Sequence, residues 1–254
     1  MKFINEEPCI IIGRKLIVAD LHLGIESKFY KDGIKMPSQT KAVAEKIRRL
    51  VEEYELSEVI FIGDIKHEVP GTSFQEQREI PEFMDSVKKS AKVRVLSGNH
   101  DGDIERMLGN KIKIEKEIKT RNIYLTHGHI WPDRKFLECK TIIIGHEHPQ
   151  IEFRDALGYR FTEQVWIRAK LSWPKISKQY RLKKKIMLPE LVIMPAFNRF
   201  SGGISLNGRY AKTKRTGNAI GLGPIARSAN MRSSDIYLLD GTHLGKLKDL
   251  VQEK

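Results

Sequence analysis

Residues 141–150 read TIIIGHEHPQ. Three isoleucines run into a glycine and then into two imidazoles, His146 and His148, one residue apart. Four other places in the chain repeat the form. KLIVA is followed by Asp20 and His22, EVIFI by Gly63 and Asp64, and VRVL by Gly98, Asn99, His100 and Asp101. IYL is followed by His127, Gly128 and His129. Seven of the eight histidines lie in or just after these junctions. Carboxylate, amide and imidazole groups are hard to borderline donors that suit manganese, iron or zinc, and there are more of them than one ion needs. A pair of divalent cations sharing a bridging carboxylate is the usual device for hydrolysing phosphate esters.

Such donors must be brought together by rigid elements. The five apolar runs are short, rich in Ile and Val, and mostly without polar alternation, as strands covered on both faces are. Ligand-binding loops converge at the carboxyl ends of strands in α/β sheets, so the five junctions are expected to share one site. Between the first two runs, PSQTKAVAEKIRRLVEEYE places Val43, Ile47, Leu50, Val51 and Tyr54 at helical spacing. A second helix is expected from Phe74 to Lys89, broken or restarted at Pro81. The first 22 residues read as a β-hairpin around Gly13-Arg14-Lys15, and Glu6 and Glu7 ahead of the apolar stretch exclude a signal peptide.

After Pro149 the character changes. ELVIMP and SDIYLLD read as further strands, with DGTHLG as an exposed turn carrying His243. Residues 207–234 are rich in Gly, Ser, Asn, Lys and Arg without periodicity and read as a long mobile loop. Its GLGP contains a GxG, but no strand precedes it and no helix clearly follows, which excludes a dinucleotide fingerprint. With no internal repeat and no clear linker, residues 1–254 are expected to form one domain.

The formal charge of +13 is one-sided. Residues 1–150 hold 25 Lys and Arg against 24 Asp and Glu, a net of +1, whereas residues 151–254 hold 20 against 8, a net of +12. A field of this kind attracts phosphates, so nucleic acid is a plausible partner of the basic C-terminal portion. Lys183-Lys184-Lys185, with Arg181 and Lys178 close by, is either a solvated edge or a phosphate track. The interleaved Trp173 and Tyr180 either stack on bases or anchor the segment to its own core. Cys9 and Cys139 form no CxxC, and no apolar run approaches the roughly 20 residues of a membrane span. A cytoplasmic protein without membrane association is therefore expected.

The ordered set D-x-H, GD, GNHD, HGH and GHxH over residues 20–148 resembles the calcineurin-like metallophosphoesterase superfamily. MPAFNRFSGG and IYLLDGTHLG are more narrowly similar to an archaeal and bacterial group of SbcD-related phosphoesterases. The resemblance implies a four-layer α/β/β/α sandwich, two mixed sheets flanked by helices, with the metals at the strand ends. It implies two divalent ions per chain, most readily Mn, with Fe, Zn, Ni or Co as alternatives. Asp20, His22 and His148 would hold the first; Asn99, His127 and His146 the second; Asp64 would bridge them. Water activated between the two ions would attack phosphorus, with His100 protonating the leaving oxygen and Asp101 orienting His100. Glycines 63, 98 and 145 fit tight turns beside ligands that need an unusual backbone angle.

The chain departs from many members of the superfamily at Ile65-Lys66-His67-Glu68. Lys66 and His67 are candidates for contact with a substrate phosphate, and for His67 a structural role is the alternative. His129 either touches substrate or hydrogen-bonds behind the ligands. Asn198 and the Gly202-Gly203 pair are placed near the metals by resemblance alone. The expected function is metal-dependent hydrolysis of phosphoesters. Nucleic acid in repair or processing is the leading substrate and a small nucleotide-like phosphoester the alternative. A metal-holding scaffold without catalysis would lack a ligand or His100, and here the set is complete.

Overall fold

The computed structural model describes residues 1–109, 112–208 and 222–251. The first sheet begins with β1 (Lys2–Phe3), β2 (Cys9–Ile12) and β3 (Lys15–Ala19), which pair antiparallel around Gly13 as the expected hairpin. Helices α1 (Glu26–Lys31) and α2 (Thr40–Glu53) lead to β4 (Glu58–Ile62), and α3 (Phe74–Lys88) leads to β5 (Lys92–Leu96). Then α4 (Ile104–Leu108) precedes β6 (Ile114–Glu115), and β3, β4, β5 and β6 run parallel in that spatial order.

The second sheet is built from β7 (Glu117–Lys119), β8 (Ile123–Thr126), β9 (Thr141–Ile144), β10 (Pro149–Arg154) and β11 (Arg160–Lys170). After α5 (Trp173–Tyr180) come β12 (Glu190–Ile193), β13 (Ile204–Ser205), β14 (Asp235–Leu238) and β15 (His243–Lys246). Its path is β13-β10-β11-β12-β9-β8-β7, with β14 and β15 attached beside β11, and β12, β9 and β8 are parallel. Both sheets are mixed: the first is antiparallel from β1 to β3 and parallel from β3 to β6, and the second has β12, β9 and β8 parallel with antiparallel pairs on either side.

Strand alternation explains the layers. In β3, Leu16 and Val18 face Ala44, Ile47 and Leu50 of α2 and Ile80 and Phe83 of α3 in one core cluster. Their neighbours Ile17 and Ala19 point the other way, into a core shared with Ile143, Val192 and Trp166 of the second sheet. The far face of that sheet, Ile142, Ile144, Leu191 and Ile193, is covered by Phe136, Ile176, Ile225 and Leu247. Both faces of each central strand are thus buried, which is why their sequences lack alternation. The outcome is the expected pair of mixed sheets flanked by helices.

The runs KLIVA, EVIFI and TIII are strands with the expected bounds. Pro81 does not break its helix. α3 runs unbroken because Ser73 and Glu76 form a capping box and Ile80, Phe83, Met84 and Val87 are buried on one face. β11 was not anticipated, because its first four residues, RFTE, are exposed and polar-flecked while only the later ones are buried. In DGTHLG the turn is shorter than expected, since His243 already opens β15 and its Nε2 lies 3.0 Å from Asp235.

Of the expected loop 207–234, residues 209–221 lie outside the described ones. The rest corrects the expectation. A short helix spans Pro224–Arg227, a 3-10 turn spans Met231–Ser233, and Leu222, Ile225, Ala226 and Ala229 are buried. Those four have helical spacing, a signal diluted by the polar residues around them.

Candidate metal centre

Each expected ligand follows the carboxyl end of a parallel strand, and the ladders continue past the strands into the ligand loops. The Asp20 N–H donates to the Gly63 carbonyl at 3.2 Å, His22 to the carbonyl of Asp64 at 2.8 Å, and Leu23 to that of Ile65 at 2.8 Å. The loops after β3 and β4 are therefore zipped together. Asp20, His22, Asp64, His146 and His148 have φ between 41° and 69°, a left-handed backbone that side-chain-bearing residues avoid. Only three other non-glycine residues share it among the described ones. Strain concentrated in this way marks a functional site.

The glycines act partly as expected. Gly63 does take φ of 75°, but Gly98 and Gly145 lie outside the left-handed region. They are needed for space, because a Cβ would lie 2.0 Å from Asp64 Oδ1 at Gly98 and 2.6 Å from Asp20 Oδ2 at Gly145.

Three groups of donors form among the described residues, each with ligand atoms within 4.8 Å of one another: Asp20, His22, Asp64 and His148; Asp64, His127 and His146; and, beside the first, His22, His67 and His100. In the first, His22 Nε2 is 3.2 Å from His148 Nε2 and 3.7 Å from Asp64 Oδ2, and His148 Nε2 is 3.5 Å from Asp20 Oδ1. In the second, His127 Nε2 is 3.3 Å from Asp64 Oδ2 and 3.2 Å from Asn99 Oδ1. Asp64 is common to these two. His127 Nδ1 lies 3.0 Å from the Ile62 carbonyl, which can only accept, so the proton sits there and Nε2 is left for a cation.

The electrostatics fit cations. Burial, then His148, depresses the His22 imidazole to about 3. Burial, then His127, takes His146 to about 4. Both are therefore neutral ligands at pH 7. Burial opposes charge on His127 as well, but its hydrogen bond to Asp64 wins and raises it to about 9. Asp20 and Asp64 stay ionised against their own burial because His148 and His127 respectively face them. Histidines borrowing a proton to balance two buried carboxylates is what a site built for divalent cations does when protons occupy it.

The other predicted residues separate. Burial, then Asp64, raises the Asp101 carboxyl, and its oxygens accept from Ile65 N–H (2.9 Å) and Gly98 N–H (2.8 Å). It pins the two loops together. The His100 ring is held instead by the His67 carbonyl, 2.6 Å from its Nδ1. That places the His100 proton on Nδ1 and leaves Nε2 open. His67 also sets its own Nδ1 3.3 Å from His22 Nδ1, and its ring stacks on His100 at 5.8 Å.

Two candidates for substrate contact are corrected. Lys66 is buried, and its ammonium donates to the carbonyls of Glu68 and Gly71. Asn198 is also buried, donates to the Leu21 carbonyl at 2.9 Å and accepts from Phe200 N–H. Each holds a loop. His129 lies beside His127 and His146, and its buried Nδ1 has no hydrogen-bond partner.

Sequence reasoning missed two carboxylates. Glu76 is fully buried and accepts from the N–H groups of His67 (2.8 Å) and Glu68 (2.7 Å), fixing the loop that carries His67. The S-x-x-E pattern of the capping box was its legible signal. Glu147, between the two terminal histidines, is pushed by burial to about 7 and accepts from Gly223 N–H at 2.8 Å. The basic run lies elsewhere. Lys183 and Lys184 line a cavity of about 450 Å³ with Arg134 and Lys135, on the turn that enters β9 rather than where its ligands leave. Tyr180 donates to the Pro132 carbonyl at 2.7 Å and packs on Trp131 and Phe136, so it anchors the segment to its own core.

The family model described as calcineurin-like phosphoesterase matches residues 13–175. Among solved structures, the Pseudomonas putida nuclease MPE is 21% identical with a TM-score of 0.51, over 89% of this chain and 85% of that one. Yfce, a phosphoesterase from E. coli, is 16% identical with a TM-score of 0.35, over 56% of this chain and 74% of that one. No curated protein matches. No helix among the described residues is long and apolar enough to cross a membrane.

Proposed function

The chain belongs to the calcineurin-like phosphoesterase family, and from that premise we propose that its centre hydrolyses phosphodiester bonds of nucleic acid. The observation that carries the reaction class is Asp64, shared by two ligand groups that together hold hard and borderline donors for two divalent ions. When bound, such ions supply positive charge against the phosphoryl oxygens and lower the pKa of water. Manganese is the ion this donor set is proposed to take. Asp20, His22 and His148 would hold the first ion and Asn99, His127 and His146 the second, with Asp64 within reach of both.

The remaining chemistry belongs to His100. Its backbone N–H donates to Asp64 Oδ1 at 2.9 Å, which seats it over the shared carboxylate. Its Nδ1 donates to the His67 carbonyl, so in the doubly protonated ring the second proton sits on Nε2, and the reading passes that proton to the leaving oxygen, a role worth 10²–10⁴-fold in general. His129, with an unpaired ring nitrogen beside the second group, is positioned for a substrate oxygen. Nucleic acid is favoured by the net charge of +12 on residues 151–254 and by the likeness in fold to a nuclease.

The test is hydrolysis by Mn-loaded protein of single- and double-stranded oligonucleotides and of small phosphodiesters across a salt series. KM for oligonucleotides is expected to rise steeply with salt, as counterion release requires, while KM for a nucleotide-sized ester stays nearly flat. His100→Asn should lower kcat 10²-fold or more on either substrate. Cleavage of small esters alone, with no oligonucleotide cut, rejects the nucleic-acid reading and keeps the phosphoesterase.

A further inference from the structure

The segment Asn198–Ile204 is tied to both sides of the first ligand group. At its start, Phe197 N–H donates to the Ala19 carbonyl at 2.9 Å and Asn198 Nδ2 to the Leu21 carbonyl at 2.9 Å. At its end, Ile204 N–H donates to the His148 carbonyl at 3.0 Å. A Cβ on Gly203 would lie 2.4 Å from that same carbonyl oxygen, so the chain passes His148 at a separation only glycine permits.

Between these anchors Arg199 and Phe200 face solvent, Phe200 with 47% of its surface exposed. The edge of that ring meets Phe29 of α1 at 6.4 Å, and Tyr30, the next residue, is 69% exposed. Lys28, on the same helix and also exposed, is close enough that its charge, after burial and His100, helps depress the His67 imidazole. Open aromatic faces and two cations are therefore carried by α1 and by a loop tied to the backbones of Leu21 and His148. A bare phosphate needs the cations only. A nucleoside attached to that phosphate needs a ring to stack on as well.

We propose that the Arg199–Gly203 loop and α1 form a subsite for the nucleoside next to the scissile phosphate, with Phe200 stacking on its base and Arg199 pairing with the adjoining phosphate. This rests on the nucleic-acid reading above and narrows it. A base must leave a duplex stack to lie on Phe200, so the preferred substrate is a single strand or a frayed end. Stacking on an unhindered ring accepts any base, so sequence preference is weak.

The experiment is steady-state cleavage of single-stranded oligonucleotides by Mn-loaded protein. Phe200→Ala should raise KM about tenfold, and Phe200→Leu, which keeps apolar bulk without a ring, should do the same. Phe200→Trp should hold KM at or below the wild-type value. On a strand made abasic throughout, wild type should fall to the level of Phe200→Ala. Equal KM for wild type and Phe200→Ala on the normal strand overturns the subsite, as does a loss that persists undiminished on the abasic strand. Wild type that cuts small phosphodiesters but no oligonucleotide overturns the nucleic-acid reading, and the subsite with it.

Discussion

From the amino-terminal ends of β3 and β4 across the middle of β5, charge is answered by charge. Lys15 pairs with Glu58, and Arg94 lies 3.9 Å from Glu58 and 2.7 Å from Glu115, which Lys113 also approaches. At the carboxyl ends of the same strands, no lysine or arginine among the described residues pairs with the buried carboxylates, and the buried Lys66 donates to the Glu68 and Gly71 carbonyls instead. Asp20, Asp64 and Asp101 are buried among His22, His127 and His148, with no cation except what protonated imidazole can provide. The left-handed backbone is found there too, at Asp20, His22 and Asp64. One end is electrostatically complete; the other is held strained and short of positive charge. The contrast singles out one edge of the sheet without appeal to any relative.

The sharpest way to break that contrast is to remove the shared carboxylate. Asp64→Asn keeps the shape and deletes one negative charge from both ligand groups. Charge stabilisation by a bound cation is worth several kilocalories per mole, so the loss in kcat is expected to be on the order of 10³-fold or more. Elemental analysis of the purified variant should show fewer bound ions. Full activity with unchanged metal content would mean that the two groups are not one centre.

A smaller effect is expected at His67, whose Nδ1 lies 3.3 Å from His22 Nδ1 and whose carbonyl meets His100. His67→Ala keeps the carbonyl and removes the ring. Loss of a partner that orients a metal-ligating histidine typically costs 10–100-fold. Both metal affinity and kcat should fall by that order, and a change in neither returns His67 to the role of substrate contact.

The site was more legible than its supports. Asp20, His22, Asp64, Asn99, His127, His146 and His148, which the structure gathers at one sheet edge, stood out in the sequence because each lies within four residues of the end of an apolar run. Such local order survives in the one-dimensional string. Lys66 and Asn198 were misplaced because a polar residue next to a ligand looks the same in sequence whether it faces the cavity or the loop behind it. Only the fold shows that their donors meet carbonyls. Asp101 failed in the same way: its neighbour His100 suggested a ring contact, whereas its oxygens meet backbone N–H groups. β11 and the turn of helix at Pro224 escaped for another reason, because their apolar positions are interrupted by exposed Arg, Thr and Glu.

The ends should also differ in how they respond to protons. In metal-free protein His127 is raised from 6.5 to about 9, so its contribution to stability is complete below pH 6.5 and is lost as pH rises toward 9. His22 and His146 are depressed from 6.5 to about 3 and about 4, so stability is lost as pH falls below 6.5, where the unfolded chain takes up protons first. Resistance to thermal unfolding in chelator should therefore be greatest near pH 6.5. With Mn present the alkaline decline should vanish, because ligation needs the deprotonated forms and strengthens as pH rises. Metal-free stability that climbs steadily from pH 6 to pH 9 would show that His127 carries no borrowed proton.

The complete end should be nearly indifferent. Arg94 is the cation that joins Glu58 to Glu115, and its side chain is 26% exposed. Arg94→Met keeps the apolar stem that lies along the sheet and removes the guanidinium. Lys15 still faces Glu58 and Lys113 still faces Glu115, so neither carboxylate is left alone. Partly solvated pairs contribute about 1 kcal/mol or less, and urea unfolding should report a loss within that limit. The kcat should stay within about twofold, because Val95 and Leu96, between Arg94 and the ligand loop, are fixed by the cores on either side, and the Glu115 carbonyl that accepts from Ser97 N–H is held by the backbone. A tenfold fall in kcat with stability intact would mean that the charge balance at the two ends is coupled through the sheet, and the division drawn between them would not stand.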